Sequence, residues 1–126
     1  MKLKTIMIIK AIVCIGFGPL LLFLPGPLLT LLGSSFGPGA AITAREYGAS
    51  LLGNFVLTWF ARNAKESVAR RAIVLDLFVY DAIALIATLL IQISGGMNPL
   101  GWSIVAIYLF FTLTFGYFLL PQKAGT

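Results

Sequence analysis

The sequence predicts an all-α fold: an integral membrane four-helix bundle with a short interfacial or re-entrant segment after the first helix. Three observations carry this expectation. Hydrophobic residues make up 60% of the 126-residue chain and charged residues only 10%, where a soluble domain carries about 25% charged residues. The apolar residues fall in runs near the roughly 20 residues that one membrane crossing takes. Most of the charges lie before, between or after those runs. Four crossings leave short loops and no further soluble domain within these residues.

The first span is expected at about 6–24. Lys2 and Lys4 precede it, and only Lys10 interrupts its apolar run. A basic start and an apolar core also describe a signal peptide. No A-x-A site follows, however, and the next residues are still apolar, so a retained span is expected. Val13 is not the small residue that would precede a lipoprotein Cys14. Pro19 removes a backbone hydrogen bond and predicts a kink near Gly16. Pro25-Gly26-Pro27 should end the helix. Residues 27–36 then read as the interfacial or re-entrant segment, whose backbone must meet water or protein rather than lipid.

The second span is expected at about 40–61, followed by a polar loop of about ten residues from Arg62 to Arg71. The third is expected at about 72–94. Gly95, Gly96, Asn98 and Pro99 make a tight turn, and the fourth span runs over about 100–120 to a stop at Pro121. In this arrangement Lys2, Lys4, the Arg62–Arg71 loop and Lys123 share one side. The loops at 25–39 and 95–99 carry no charge. The positive-inside rule then puts both termini in the cytoplasm. A three-span chain ranks second, because it would set Lys123 opposite the basic loop.

Composition excludes several chemistries. Without histidine, imidazole ligation and imidazole base catalysis are absent. One cysteine, Cys14, allows no internal disulfide. No nucleophile–base set is recognisable, so an enzyme acting on lipid is not expected. The net charge of +5 is read as topology-setting rather than as a nucleic-acid footprint. No inverted repeat of the transporter kind is visible.

Ionisable groups inside a span are costly and mark candidate sites. Here they are Lys10, Arg45, Asp76 and Asp81, with Asn54 as a mid-span polar residue. Lys10 can reach Asp76 or Asp81 from another helix. The plainer reading is an ion pair that fixes helix register, the sharper one a proton or ion relay. Asp81 is the stronger candidate of the acids, being too deep and too short to reach the interface. Asp76 and Asp81 lie about 140° apart on a helix and form no carboxylate pair. Arg45 is expected to anchor to outer headgroups or join a local ion pair, the sharper reading being a hold on an anionic headgroup or cofactor group. Ala40, Ala44 and Gly48 form a small-residue stripe, with Ala49 and Gly53 beside it, suited to close helix packing. Trp59 and Trp102 fall near span ends, where interface anchors belong.

The stretch Ala44-Arg45-Glu46-Tyr47-Gly48-Ala49-Ser50-Leu51-Leu52-Gly53 resembles part of a family of small bacterial four-span membrane proteins. So do 59–63, 69–74 and Met97-Asn98-Pro99-Leu100-Gly101-Trp102. The resemblance covers most of the chain from Ala44 on. It implies the bacterial inner membrane and brings no established activity. The function expected is a non-catalytic accessory or assembly subunit of a larger membrane complex, respiratory or photosynthetic. Its partners would be membrane lipids and other membrane subunits or further copies of itself, with no nucleic acid. No cofactor of its own is expected, only bound lipid, or a pigment or quinone contacted through apolar packing. The alternative is a small oligomeric transporter or channel using the intramembrane charges.

Overall fold

A computed structural model describes residues 2–120. The Lys123 part of the topology expectation lies outside the described residues. Those residues form five helices and no strand: α1 (Leu3–Phe23), α2 (Pro25–Leu31), α3 (Pro38–Ala61), α4 (Val68–Ile93) and α5 (Gly101–Leu119). Three of them, α1, α4 and α5, are long and apolar enough to cross a membrane, which indicates a membrane protein. Three of the four expected spans are thus matched by length and apolarity. α3 has the length, at 24 residues, but Arg45, Glu46 and Asn54 make it less apolar than the other three.

The element ends differ from the sequence reading in ways that local chemistry explains. Residues after the Leu24 break are helical at once, because Pro25 occupies the first helical position, where its missing N–H costs nothing. The segment expected at 27–36 is thus a seven-residue helix and a turn. Gly33 ends α2 in the left-handed region (φ 75°), and Ser34 N–H reaches back to the Leu29 carbonyl at 2.9 Å, a Schellman closure. α1 runs unbroken through Pro19. α4 begins at Val68, not at 72. Ser67 caps it by accepting the Arg70 N–H at 3.1 Å, so Arg70 and Arg71 belong to the first helical turn, and the loop spans only 62–67.

The bundle is two hairpins set side by side. α1 packs chiefly on α3, and α4 on α5. Within the first pair, a Cβ on Gly18 would touch Leu52 and one on Gly48 would touch Gly18 and Leu22, so the two helices run antiparallel. Gly116 lies against Phe78 and Gly101 against Gln92, which makes α4 and α5 antiparallel too. The hairpins meet at the basic end through Ile6, Met7, Val74, Leu77, Phe111 and Phe115. At the uncharged end a backbone latch joins them. Asn98 N–H donates to Leu32 O (2.8 Å), Asn98 Nδ2 to Leu31 O (2.9 Å) and Ser34 Oγ to Gly96 O (2.7 Å).

Candidate functional site

The buried stripe of α1 runs Leu3, Ile6, Met7, Lys10, Cys14, Gly18, Leu21. The three- and four-residue steps turn one face inward, and Lys10 sits on it. On α4 the inward residues are Val74, Leu77, Asp81 and Gln92. The two stripes face each other, and Lys10 Nζ meets Asp81 Oδ1 at 2.6 Å. Lys10 is 2% exposed and Asp81 0%, so neither end of the pair reaches an interface. Asp81 lies thirteen residues past Val68, about 20 Å along α4. That is deeper than a helix starting at 72 would place it.

An aromatic wall surrounds the ammonium. The ring centroids of Phe111, Tyr80 and Tyr108 lie 4.6, 5.0 and 6.0 Å from Lys10 Nζ. The ammonium lies over these rings, whose negative faces attract it and offset part of the desolvation cost of burying it. Three tyrosines continue the polar cluster. Tyr80 donates its hydroxyl proton to Tyr47 Oη at 2.8 Å, and Tyr47 in turn is hydrogen-bonded to Tyr108 Oη. α1, α3, α4 and α5 each contribute at least one side chain. One carboxylate oxygen, Asp81 Oδ2, is buried with no hydrogen-bond partner among the described residues.

Beside this cluster the hairpins part, leaving a cavity of about 430 Å³. Lys10, Cys14, Tyr47 and Tyr108 line its polar end, and Leu28 and Leu29 of α2 line it as well. A second cavity, about 570 Å³, opens at the other end of the bundle among Lys2, Lys4, Arg62, Arg70 and Arg71, with Glu66. There Arg71 Nη2 donates to the Leu119 carbonyl at 2.6 Å, satisfying an end group of α5, and Arg70 pairs with Glu66 at 3.3 Å. Arg62 stacks on Trp59, 3.8 Å from its ring centroid.

The candidate residues named from the sequence divide cleanly. Lys10 and Asp81 come together. Asp76 and Arg45 are exposed on the outside of the bundle and take no part in the cluster. Asn54 is half-buried, and its carbonyl accepts the Thr58 hydroxyl at 2.7 Å. Ala44 and Gly48 are buried on the α1 side, whereas Ala49 and Gly53 are exposed, and a Cβ on Gly53 would meet nothing within 4 Å. Those two therefore do not pack within this chain. The tyrosine triad was not foreseen. Its signal was present: Tyr47, Tyr80 and Tyr108 all fall well inside their helices, away from the ends where tyrosine usually anchors, and a buried hydroxyl needs a partner. Compared with known protein families, with curated proteins and with solved structures, the chain matches none.

Proposed function

We propose that the chain is a non-catalytic accessory or assembly subunit of a larger complex in the bacterial inner membrane. In this reading it is a four-span bundle with both termini in the cytoplasm. One observation carries it: the deep charges are spent inside the chain, while the outer surface is apolar. Lys10 and Asp81 neutralise each other and touch no interface. Facing outward instead are large apolar side chains on every long helix, among them Ile12, Phe60, Ile83, Ile86 and Leu113. Such a surface offers lipid and partner helices packing contact rather than chemistry.

The fourth crossing is supported by the end-to-end pairing of α3 with α1. It is also supported by the basic cluster, since Lys2 and Lys4 share one cavity with Arg62, Arg70 and Arg71. For those residues to meet, α3 must return to the end where α1 began. Basic residues at one end then suggest the cytoplasmic face. The outward small residues Ala49 and Gly53 give a partner helix room for close approach.

The test is gentle extraction from native membranes followed by mass spectrometry and an absorption spectrum. The expected result is one other membrane protein recovered in fixed stoichiometry, its identity naming the pathway. Recovery of the chain alone, or with further copies only, overturns the subunit reading. Ion flux in reconstituted vesicles then becomes the next measurement, because the transport alternative needs a polar route through both leaflets.

A further inference from the structure

The 430 Å³ cavity has chemistry that points to a ligand. A cavity of about 150 Å³ holds one benzene, and small-molecule sites begin near 300 Å³. This one therefore has room for a substituted ring with a short hydrocarbon chain. Its walls are apolar, with Phe17, Leu21, Leu28, Leu29, Ile104 and Ile107 among them. Its polar end is built from Lys10, Tyr47 and Tyr108.

That end has donors to spare. Lys10 carries three N–H groups and gives one to Asp81. The three tyrosine hydroxyls hold three protons but make two bonds among themselves. Because Tyr80 donates to Tyr47, the third proton resides on Tyr108 if Tyr47 donates onward, and on Tyr47 if Tyr108 is the donor. Tyr47 and Tyr108 both line the cavity. The polar end therefore keeps one O–H unused in either case.

Charge selects the kind of acceptor. Lys10 and Asp81 already sum to zero, so a carboxylate or phosphate would bring an uncompensated charge into a dry interior, at a large cost. A neutral acceptor, such as a ring carbonyl, takes the spare donors without that cost. We propose that this cavity binds a neutral, lipid-soluble ring compound bearing carbonyl oxygens, of the quinone class, with a carbonyl held by Lys10 and the Tyr47–Tyr108 hydroxyls. This goes beyond the subunit reading. The site belongs to the chain alone, so its test stands whether or not a partner protein is found.

The experiment titrates the purified full chain in lipid nanodiscs with ubiquinone-1, and separately with n-decylbenzene and palmitate, by equilibrium binding. One ubiquinone-1 per chain is expected, bound more tightly than palmitate. Leu29→Trp, which fills the cavity from α2, should weaken it by about tenfold or more, the scale of one lost apolar site. Lys10→Met with Asp81→Leu, which keeps the volume but removes the ammonium donor from the polar end, should weaken ubiquinone-1 about tenfold and leave n-decylbenzene unchanged. Both variants are first checked for wild-type helicity and melting, and Tyr108→Phe with Tyr47→Phe replaces any that fails. Palmitate binding more tightly than ubiquinone-1 overturns the proposal in favour of a fatty acid. Ubiquinone-1 binding that none of these changes alters, or no binding at all, also overturns it.

Discussion

Lys10 and Asp81 show how a costly residue pair can be stable in a membrane bundle. Each charge alone would pay several kcal/mol to leave water. Together, at 2.6 Å and with rings around the ammonium, they offset much of that cost. Lys10→Met should therefore destabilise the bundle by roughly 3–5 kcal/mol, the usual loss when one partner of a buried pair is removed. The double change Lys10→Met with Asp81→Leu should lie within about 1–2 kcal/mol of wild type, because no orphan charge remains. Reversible unfolding in mixed detergent micelles measures both, and a single variant as stable as the double would contradict this account of the pair. Asp81→Asn would leave the Lys10 ammonium buried without its counter-charge. It disturbs folding as well as any proton chemistry, so lost function in that variant alone does not establish transport. From the sequence, Lys10 and Asp81 were legible as candidates because charges inside apolar runs stand out. The choice of Asp81 over Asp76 as partner was not, since it depends on which face of α4 turns inward: Asp81 lies on the buried stripe with Val74 and Leu77, and Asp76 is exposed.

Among the helices, α1 and α3 depend on a backbone approach that only glycine permits. A Cβ on Gly48 would lie 2.7 Å from both Gly18 O and Leu22 N, inside backbone that cannot swing aside. Lipid is as apolar as the helix surfaces, so their contact rests on packing rather than on exclusion of water. Gly48→Ala should lower stability by about 1–3 kcal/mol through overpacking. Gly53→Ala, one and a half turns on and facing outward, should be within about 0.5 kcal/mol of wild type or slightly stabilising, since alanine is the better helix former. Thermal unfolding of the two purified variants checks this, and equal loss in both would place the close approach elsewhere. The small-residue stripe was readable from the sequence. Which half faced inward was not, because two adjacent stripes on one helix look alike until the partner helix is known. α2 escaped the sequence reading for a similar reason. Proline at a helix start and proline as a breaker leave the same mark, and the difference lies in which side of it the helix continues.

At the scale of the molecule, two antiparallel hairpins meet tightly at a basic end and part toward an uncharged one, where hydrogen bonds between 31–34 and 96–98 hold them. The all-α class and the positions of the four long helices followed from hydropathy and from proline and glycine. The cavity did not, because it depends on how far apart two hairpins stand. The crossing of α3 has a direct check. Ser35→Cys and Lys65→Cys should react with a membrane-impermeant maleimide from opposite faces, Ser35 from outside and Lys65 from the cytoplasm. Labelling from the same face would leave α3 outside the count of spans.

The central claim is that the interior holds the chain together while its outer surface serves a partner. The size of the native assembly, measured after gentle extraction of wild type and of Gly53→Leu, addresses it most directly. The account predicts that wild type migrates in a complex with a second membrane protein, and that Gly53→Leu, folded and helical, runs as the lone chain. If wild type itself extracts as a lone chain or as copies of itself, the outer surface serves lipid or self-association and the claim is wrong.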